Sequence, residues 1–154
     1  MPVAVNDKQD DPLESDALGS LAAVVLREEH LPDETLVSLT FVGTAEMARL
    51  NEAHLGRSGP TDVLAFPIET LVPGEVPDRD PQEPPLMLGD VVVCPTVVRR
   101  QAAAAEVAFE DDMALMVVHG VLHLLGYDHK DDTDAAFMEQ RERDLLAVVG
   151  RVRP

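Results

Sequence analysis

The chain has 154 residues, 45% of them apolar and 27% charged, which suits one domain (1–154) around one hydrophobic core and excludes disorder as the default reading. Twelve Lys and Arg against 29 Asp and Glu leave a formal net charge of -17, so the molecule as a whole repels nucleic acid unless cations gather locally. No apolar run approaches the ~20 residues of a membrane span, MPVAVNDKQDD lacks the basic and apolar regions of a signal peptide, and the lone Cys94 allows no internal disulfide; a cytoplasmic, reducing setting with no membrane partner is expected.

In chain order, VAV at 3–5 reads as a short first strand. DALGSLAAVVLREEH follows as a helix with Asp16 as N-cap and Leu18, Leu21, Val24 and Val25 at helical spacing. TLVSLTFVG alternates Leu36, Ser38 and Thr40 against Val37, Leu39 and Phe41, the period of a strand. Thr44 is read as the cap of a second helix through AEMARLNEAHL. A short buried strand, Val63 to Phe66, stops at Pro67, and a loop over 67–85 holds six of the twelve prolines, so it is irregular chain. LGDVVVC is apolar enough to be a central strand, with Cys94 as a small buried residue at its end. Pro95 opens a helix at N1, EDDMALMVVHGVLHLLG is the most apolar helix, and DAAFMEQRERDLLAVVG is a C-terminal one. The expected fold is α+β: a small mixed sheet of about four strands packed with about five helices. The acidic stretches, from NDKQDDPLESD to DHKDDTD, read as solvated faces and loops.

HGVLHLLGYDH, residues 119–129, gathers three of the five histidines. His119 and His123, four apart, share one helix face with about 5–6 Å between their Cβ atoms. Gly126 suits the left-handed position that ends a helix, after which the chain can return and deliver His129. Three neutral imidazoles leave one tetrahedral position for water, the pattern of a catalytic Zn2+ site on the central helix and the turn after it. A structural site closed by thiolates is weaker, since Cys94 is the only thiol. Isolated His30 and His54 are expected to be ordinary core residues. The spacing H-x-x-x-H-x-x-G-x-x-H is that of metzincin peptidases, whose second residue is the glutamate that takes a proton from zinc-bound water. Gly120 stands there and has no side chain, so the ligand cage is shared and the peptidase chemistry is not expected.

HGVLHLLGYDH also closely resembles the signature H-G-x-L-H-L-x-G-[YH]-D-H of the YbeY family of bacterial endoribonucleases. LN at 50–51, GPTDVLAFPIE at 59–69, LGDVVVCPTVV at 88–98 and FMEQRERDLL at 137–146 look like the family's other blocks, in order. The resemblance implies a zinc-dependent, single-strand-specific endoribonuclease. It would act in 16S rRNA 3′-end maturation and ribosome quality control, with the small ribosomal subunit and its assembly proteins as partners. It also implies His119, His123 and His129 as ligands of one zinc ion.

One position departs from the family pattern. Family members commonly carry an important arginine four residues after the LN asparagine, where this chain has Leu55. Arg57 is the candidate replacement, with Arg99 and Arg100 as the alternative phosphate contacts. His119, Arg57 and Asp128 are the candidate catalytic residues; Asp128 either orients a ligand histidine or serves as a turn residue. Two other functions stay open beside the nuclease: another metallohydrolase, including a peptidase, and a non-catalytic ribosome-assembly factor pinned by its metal.

Overall fold

The computed structural model describes residues 3–154, within which a four-stranded sheet packs with five helices. The elements are β1 (Val3–Lys8), α1 (Ser15–Glu28), β2 (Leu36–Val42), α2 (Thr44–Leu55), β3 (Val63–Pro67), β4 (Met87–Val93), α3 (Pro95–Ala105), α4 (Phe109–Leu124) and α5 (Asp132–Val148). The strand order is β1-β2-β4-β3; β1, β2 and β4 run parallel, and β3 lies antiparallel at the edge. This is the expected α+β arrangement with a mixed four-stranded sheet, and β4 is central as its apolar run predicts.

Val37, Leu39 and Phe41 of β2 and Val91 and Val93 of β4 point to one face, where α1, α4 and α5 supply Leu21, Val25, Val117, Val121, Leu145 and Leu146. The other face is covered in part by α2, through a smaller cluster of Val42, Met47, Leu64, Val92 and Cys94. Each fully buried Leu, Val or Phe contributes roughly 1.5–3 kcal/mol relative to an exposed one. Most of the stability therefore lies on the α4 side. Proline is tolerated at the end of β3 because the strand is an edge: Asp62 and Ile68 join β4 through main-chain bonds, so by alternation the nitrogen of Pro67 faces away from the ladder.

Two helix starts differ from the sequence reading. The N-cap of α1 is Glu14, with Asp16 inside the first turn, and the N-cap of α2 is Gly43, with Thr44 already helical. In both, an acid at the start of the helix (Asp16, Glu46) complements the dipole without a side-chain cap bond. The start of α5 is sharper, because the Asp131 carboxylate accepts a hydrogen bond from the N–H of Asp134 at 2.8 Å.

The position that matters most for the site is Gly120. A Cβ there would stand 2.5 Å from Val91 Cγ1 and 3.3 Å from Val63 Cγ2, so the absence of a side chain is what lets α4 lie against β3 and β4. A glutamate at 120 would begin by colliding with the sheet. Gly120→Ala is expected to destabilise the protein by about 1–3 kcal/mol through overpacking, less whatever part of the ~1 kcal/mol helix-propensity gain survives. Val91→Ala in the same chain should relieve part of the loss. Urea unfolding of the two single mutants and the double mutant checks this; stabilisation by Gly120→Ala alone would mean the helix does not press on Val91.

Candidate metal centre

The last turn of α4 and the bend after it bring the three histidines together. The N–H of Gly126 donates to the carbonyl of His123 at 3.1 Å, and that of Tyr127 to the carbonyl of Leu122 at 3.1 Å. These two bonds close a Schellman turn, which requires a left-handed residue; Gly126 supplies it with φ 96°. A Cβ on Gly126 would also run into the carbonyl of Leu71, so part of the proline-rich loop packs directly on the bend.

The bend returns His129 to the face that carries His119 and His123. One ring nitrogen from each lies within 4.8 Å of the other two. Ring centroids are 4.5 Å apart for His119 and His123, 5.1 Å for His123 and His129, and 5.7 Å for His119 and His129. Three nitrogens on a tetrahedral zinc, each at about 2.0–2.1 Å, stand about 3.4 Å apart, so small ring movements suffice to fit one ion. Burial, with repulsion from His119 and His129, pushes the pKa of His123 down, which favours the neutral ring that a metal requires.

His119 is held from behind. Its Nδ1–H donates to Glu142 Oε2 at 2.7 Å, which leaves Nε2 as the lone pair; Nε2 of His123 approaches that atom at 2.9 Å. Glu142 is 1% exposed, and its other oxygen accepts from Arg153 Nε at 3.0 Å. Burial opposes ionisation of this carboxyl, but the hydrogen bonds and charges of His119 and Arg153 outweigh it and hold the pKa below its ordinary value. A carboxylate behind a ligand histidine fixes its tautomer and raises its basicity. The sequence reading gave Glu142 no role. The available signal was a charged residue on an apolar stripe, since Met138, Glu142 and Leu145 are at helical spacing and all buried.

The bend has its own brace. The hydroxyl of Tyr127 donates to Glu29 at 3.1 Å, and Arg141 Nε donates to the same carboxylate at 2.6 Å, joining α1, the bend and α5. Burial, together with the Glu29 charge, pushes the Tyr127 hydroxyl up to about 12. Asp128 accepts from the main-chain N–H of His129 at 2.8 Å, and the same oxygen lies 3.6 Å from His129 Nδ1. It is thus both a turn residue and a neighbour of the third histidine.

The histidines line a cleft of about 980 Å³ that also takes in Arg57, Lys130, Arg153, His54, Asp62, Glu69, Asp128 and Glu142. Three cations and four histidines face four carboxylates there, so the cleft is close to neutral in a molecule of net charge -17. Arg57 is exposed on the turn after α2, where Asn51 Nδ2 donates to the carbonyl of Gly59 at 2.9 Å and shapes the loop. Arg99 lies elsewhere, 3.9 Å above the Phe109 ring in a second cleft, and Arg100 is not among the residues lining either one. His30 and His54 are exposed, contrary to expectation. His30 takes a left-handed turn after α1, and His54 packs on the outside of α2 against Phe66.

Two predictions follow from these contacts. Glu142→Gln should weaken zinc binding about 10- to 100-fold by calorimetric titration; unchanged affinity would make the carboxylate a packing element only. Tyr127→Phe should cost about 1.5–3 kcal/mol at neutral pH. The Tyr127 hydroxyl titrates higher in the folded state than its ordinary 10.0, so its contribution is whole below pH 10 and lost as pH rises through about 12. Unfolding measured across that window should be flatter for the mutant than for the wild type.

Comparison with known proteins extends the agreement to most of the chain. The family model described as Endoribonuclease YbeY matches residues 4–150. A Mycolicibacterium gilvum protein named Endoribonuclease YbeY is 38% identical over 146 residues, 95% of this chain and 82% of that protein. One of the same name from Acidothermus cellulolyticus is 41% identical over 129 residues, 83% of this chain and 74% of that protein. The solution structure of the Thermotoga maritima protein TM1509 aligns with a TM-score of 0.62 at 26% identity, covering 93% of this chain and 85% of that one. With the histidine signature, the mixed sheet and these relatives in agreement, the chain belongs to the YbeY family.

Proposed function

We propose that this protein is a zinc-dependent endoribonuclease that cuts single-stranded RNA and acts in the cytoplasm on the small ribosomal subunit, in 16S rRNA 3′-end maturation and quality control. The observation that carries the reading is the cluster of His119, His123 and His129, braced by Glu142, in a cleft that gathers Arg57, Lys130 and Arg153. The relatives named as endoribonucleases support the reaction class.

The three histidines, with one ring neutral by burial and another fixed in tautomer by Glu142, fit a zinc ion. A zinc ion there would polarise a phosphoryl oxygen and lower the pKa of water. The remaining work falls to the chain itself. Arg57 and Lys130, both exposed on the cleft wall, attract and orient the phosphodiester, with Arg57 taking the place of the arginine absent at Leu55. Asp128 holds the backbone of His129 and so the aim of its ring. Glu142 holds the ring of His119 by its Nδ1 and so points its Nε2 into the cleft. No acid can stand at 120 as a general base, because Val91 occupies the space, and this disfavours the peptidase alternative. The RNA 2′-OH then serves as nucleophile: its oxygen bonds to the adjacent phosphorus as its proton passes to solvent, the P–O5′ bond breaks, and the departing 5′-oxygen takes a proton from solvent, leaving a 2′,3′-cyclic phosphate and a 5′-hydroxyl. The whole-molecule charge makes binding to free RNA weak and salt-sensitive, with targeting completed by protein contacts on the ribosome.

The test is cleavage of a labelled single-stranded 16S 3′-end fragment by wild type and by folded His123→Ala. Wild type should cut, leaving 2′,3′-cyclic phosphate or 3′-phosphate ends, and the mutant should lose activity by about 100-fold or more. Exclusive 5′-phosphate and 3′-hydroxyl products would overturn the 2′-OH route. Equal cleavage by both proteins, or by neither, would favour the assembly-factor role.

A further inference from the structure

The cleft does not end at the histidines. It wraps around the free edge of the sheet: His119, His123 and His129 lie on the α4 face, while His54 and Phe66 lie on the α2 face, and β3 runs between them. Phe66 is packed against the small cluster beneath α2 and is only partly buried. The exposed His54 ring rests against it, with centroids 4.9 Å apart and planes inclined at 57°.

Aromatic surface is scarce in this chain, which has four Phe, one Tyr and no Trp. Phe41 is fully buried, Phe109 lies under Arg99, and Phe137 stacks on the buried Tyr127. Among the described residues, His54 and Phe66 are thus the aromatic pair on the cleft wall whose rings are not committed elsewhere. Arg57 is three residues from His54, across the left-handed cap at Gly56, and lines the same cleft.

We infer that His54, backed by Phe66, is a stacking platform for one nucleobase of the RNA, placed so that a strand crossing the β3 edge puts a base on one face and a phosphodiester at the histidines on the other. This rests on the endoribonuclease reading and assigns its substrate preference to particular side chains. A base must leave its helix to lie on an aromatic ring, so the platform admits single strands and rejects paired ones. Stacking also supplies affinity without adding positive charge, which suits a protein of net charge -17. His54 is a positioning residue here; it does no chemistry.

The experiment measures binding of a fluorescent single-stranded oligonucleotide, 2′-O-methylated throughout to block attack by the 2′-OH, to zinc-loaded wild type, His54→Ala and His54→Phe. A parallel set of oligonucleotides carries a single abasic site, moved one position at a time. His54→Ala should weaken binding of the intact strand roughly 5- to 150-fold, and His54→Phe should restore it. At one position the abasic site should weaken wild type by a similar factor and leave His54→Ala unaffected. A side chain that merely shields Phe66 would give no such position, so the same abasic response in wild type and His54→Ala overturns the proposal, as does undetectable binding by wild type. Cleavage of unmodified RNA is scored in parallel. Cleavage without the coupling sinks the platform alone, and coupling without cleavage sinks the nuclease reading alone.

Discussion

A buried carboxylate between a histidine and an arginine organises the site. Glu142 is removed from water on α5, and an unpaired charge in that position would cost several kcal/mol. It is tolerated because His119 and Arg153 each satisfy one of its oxygens. The same two bonds fix the rotation of a ring on α4, tie α5 to the segment that follows it, and leave the second nitrogen of His119 facing His123. The orientation of His119, the first member of the histidine cluster, is therefore a consequence of how the core tolerates one acid.

Around that pair, close approach takes the place of side-chain chemistry. Gly120 lets α4 rest on Val91, which brings the histidines to the edge of the sheet. Gly126 turns the chain so that His129 rejoins them, and Glu29, Tyr127 and Arg141 hold the turned segment against α1 and α5. A peptidase with this histidine spacing carries a glutamate next to its first histidine, and this fold has used that position for packing. The loss is compatible with RNA as substrate, since RNA carries its own nucleophile. Electrostatics point the same way: in a strongly acidic molecule, the cleft sets three cations against four carboxylates and comes close to neutral.

Much of this was legible from local pattern. Period-two alternation marked β2, the uniformly apolar LGDVVVC marked the central strand, and the spacing of His119, His123, Gly126 and His129 placed the cluster before any coordinates. What escaped the sequence reading is pairing over distance. Glu142 meets His119 across 23 positions, Tyr127 meets Glu29 across 98, and Arg141 meets Glu29 across 112. Spacing along one helix cannot reveal partners on another, although an acid on the apolar stripe of α5 was visible. Residue type alone favours Asp16 and Thr44 as caps, yet the helices begin one or two residues earlier. Frequency alone places His54 in the core, whereas its position in the last turn of α2, beside Phe66, leaves it exposed.

The central claim is that one metal ion sits among three histidines, the first of them aimed by Glu142. Anomalous diffraction at the zinc edge, from crystals of the zinc-loaded protein, tests it most directly. The account predicts a single strong peak about 2.0–2.1 Å from one ring nitrogen of each of His119, His123 and His129, with Glu142 still bonded to Nδ1 of His119. No peak there, or a metal bound elsewhere while the three rings remain free, would contradict it.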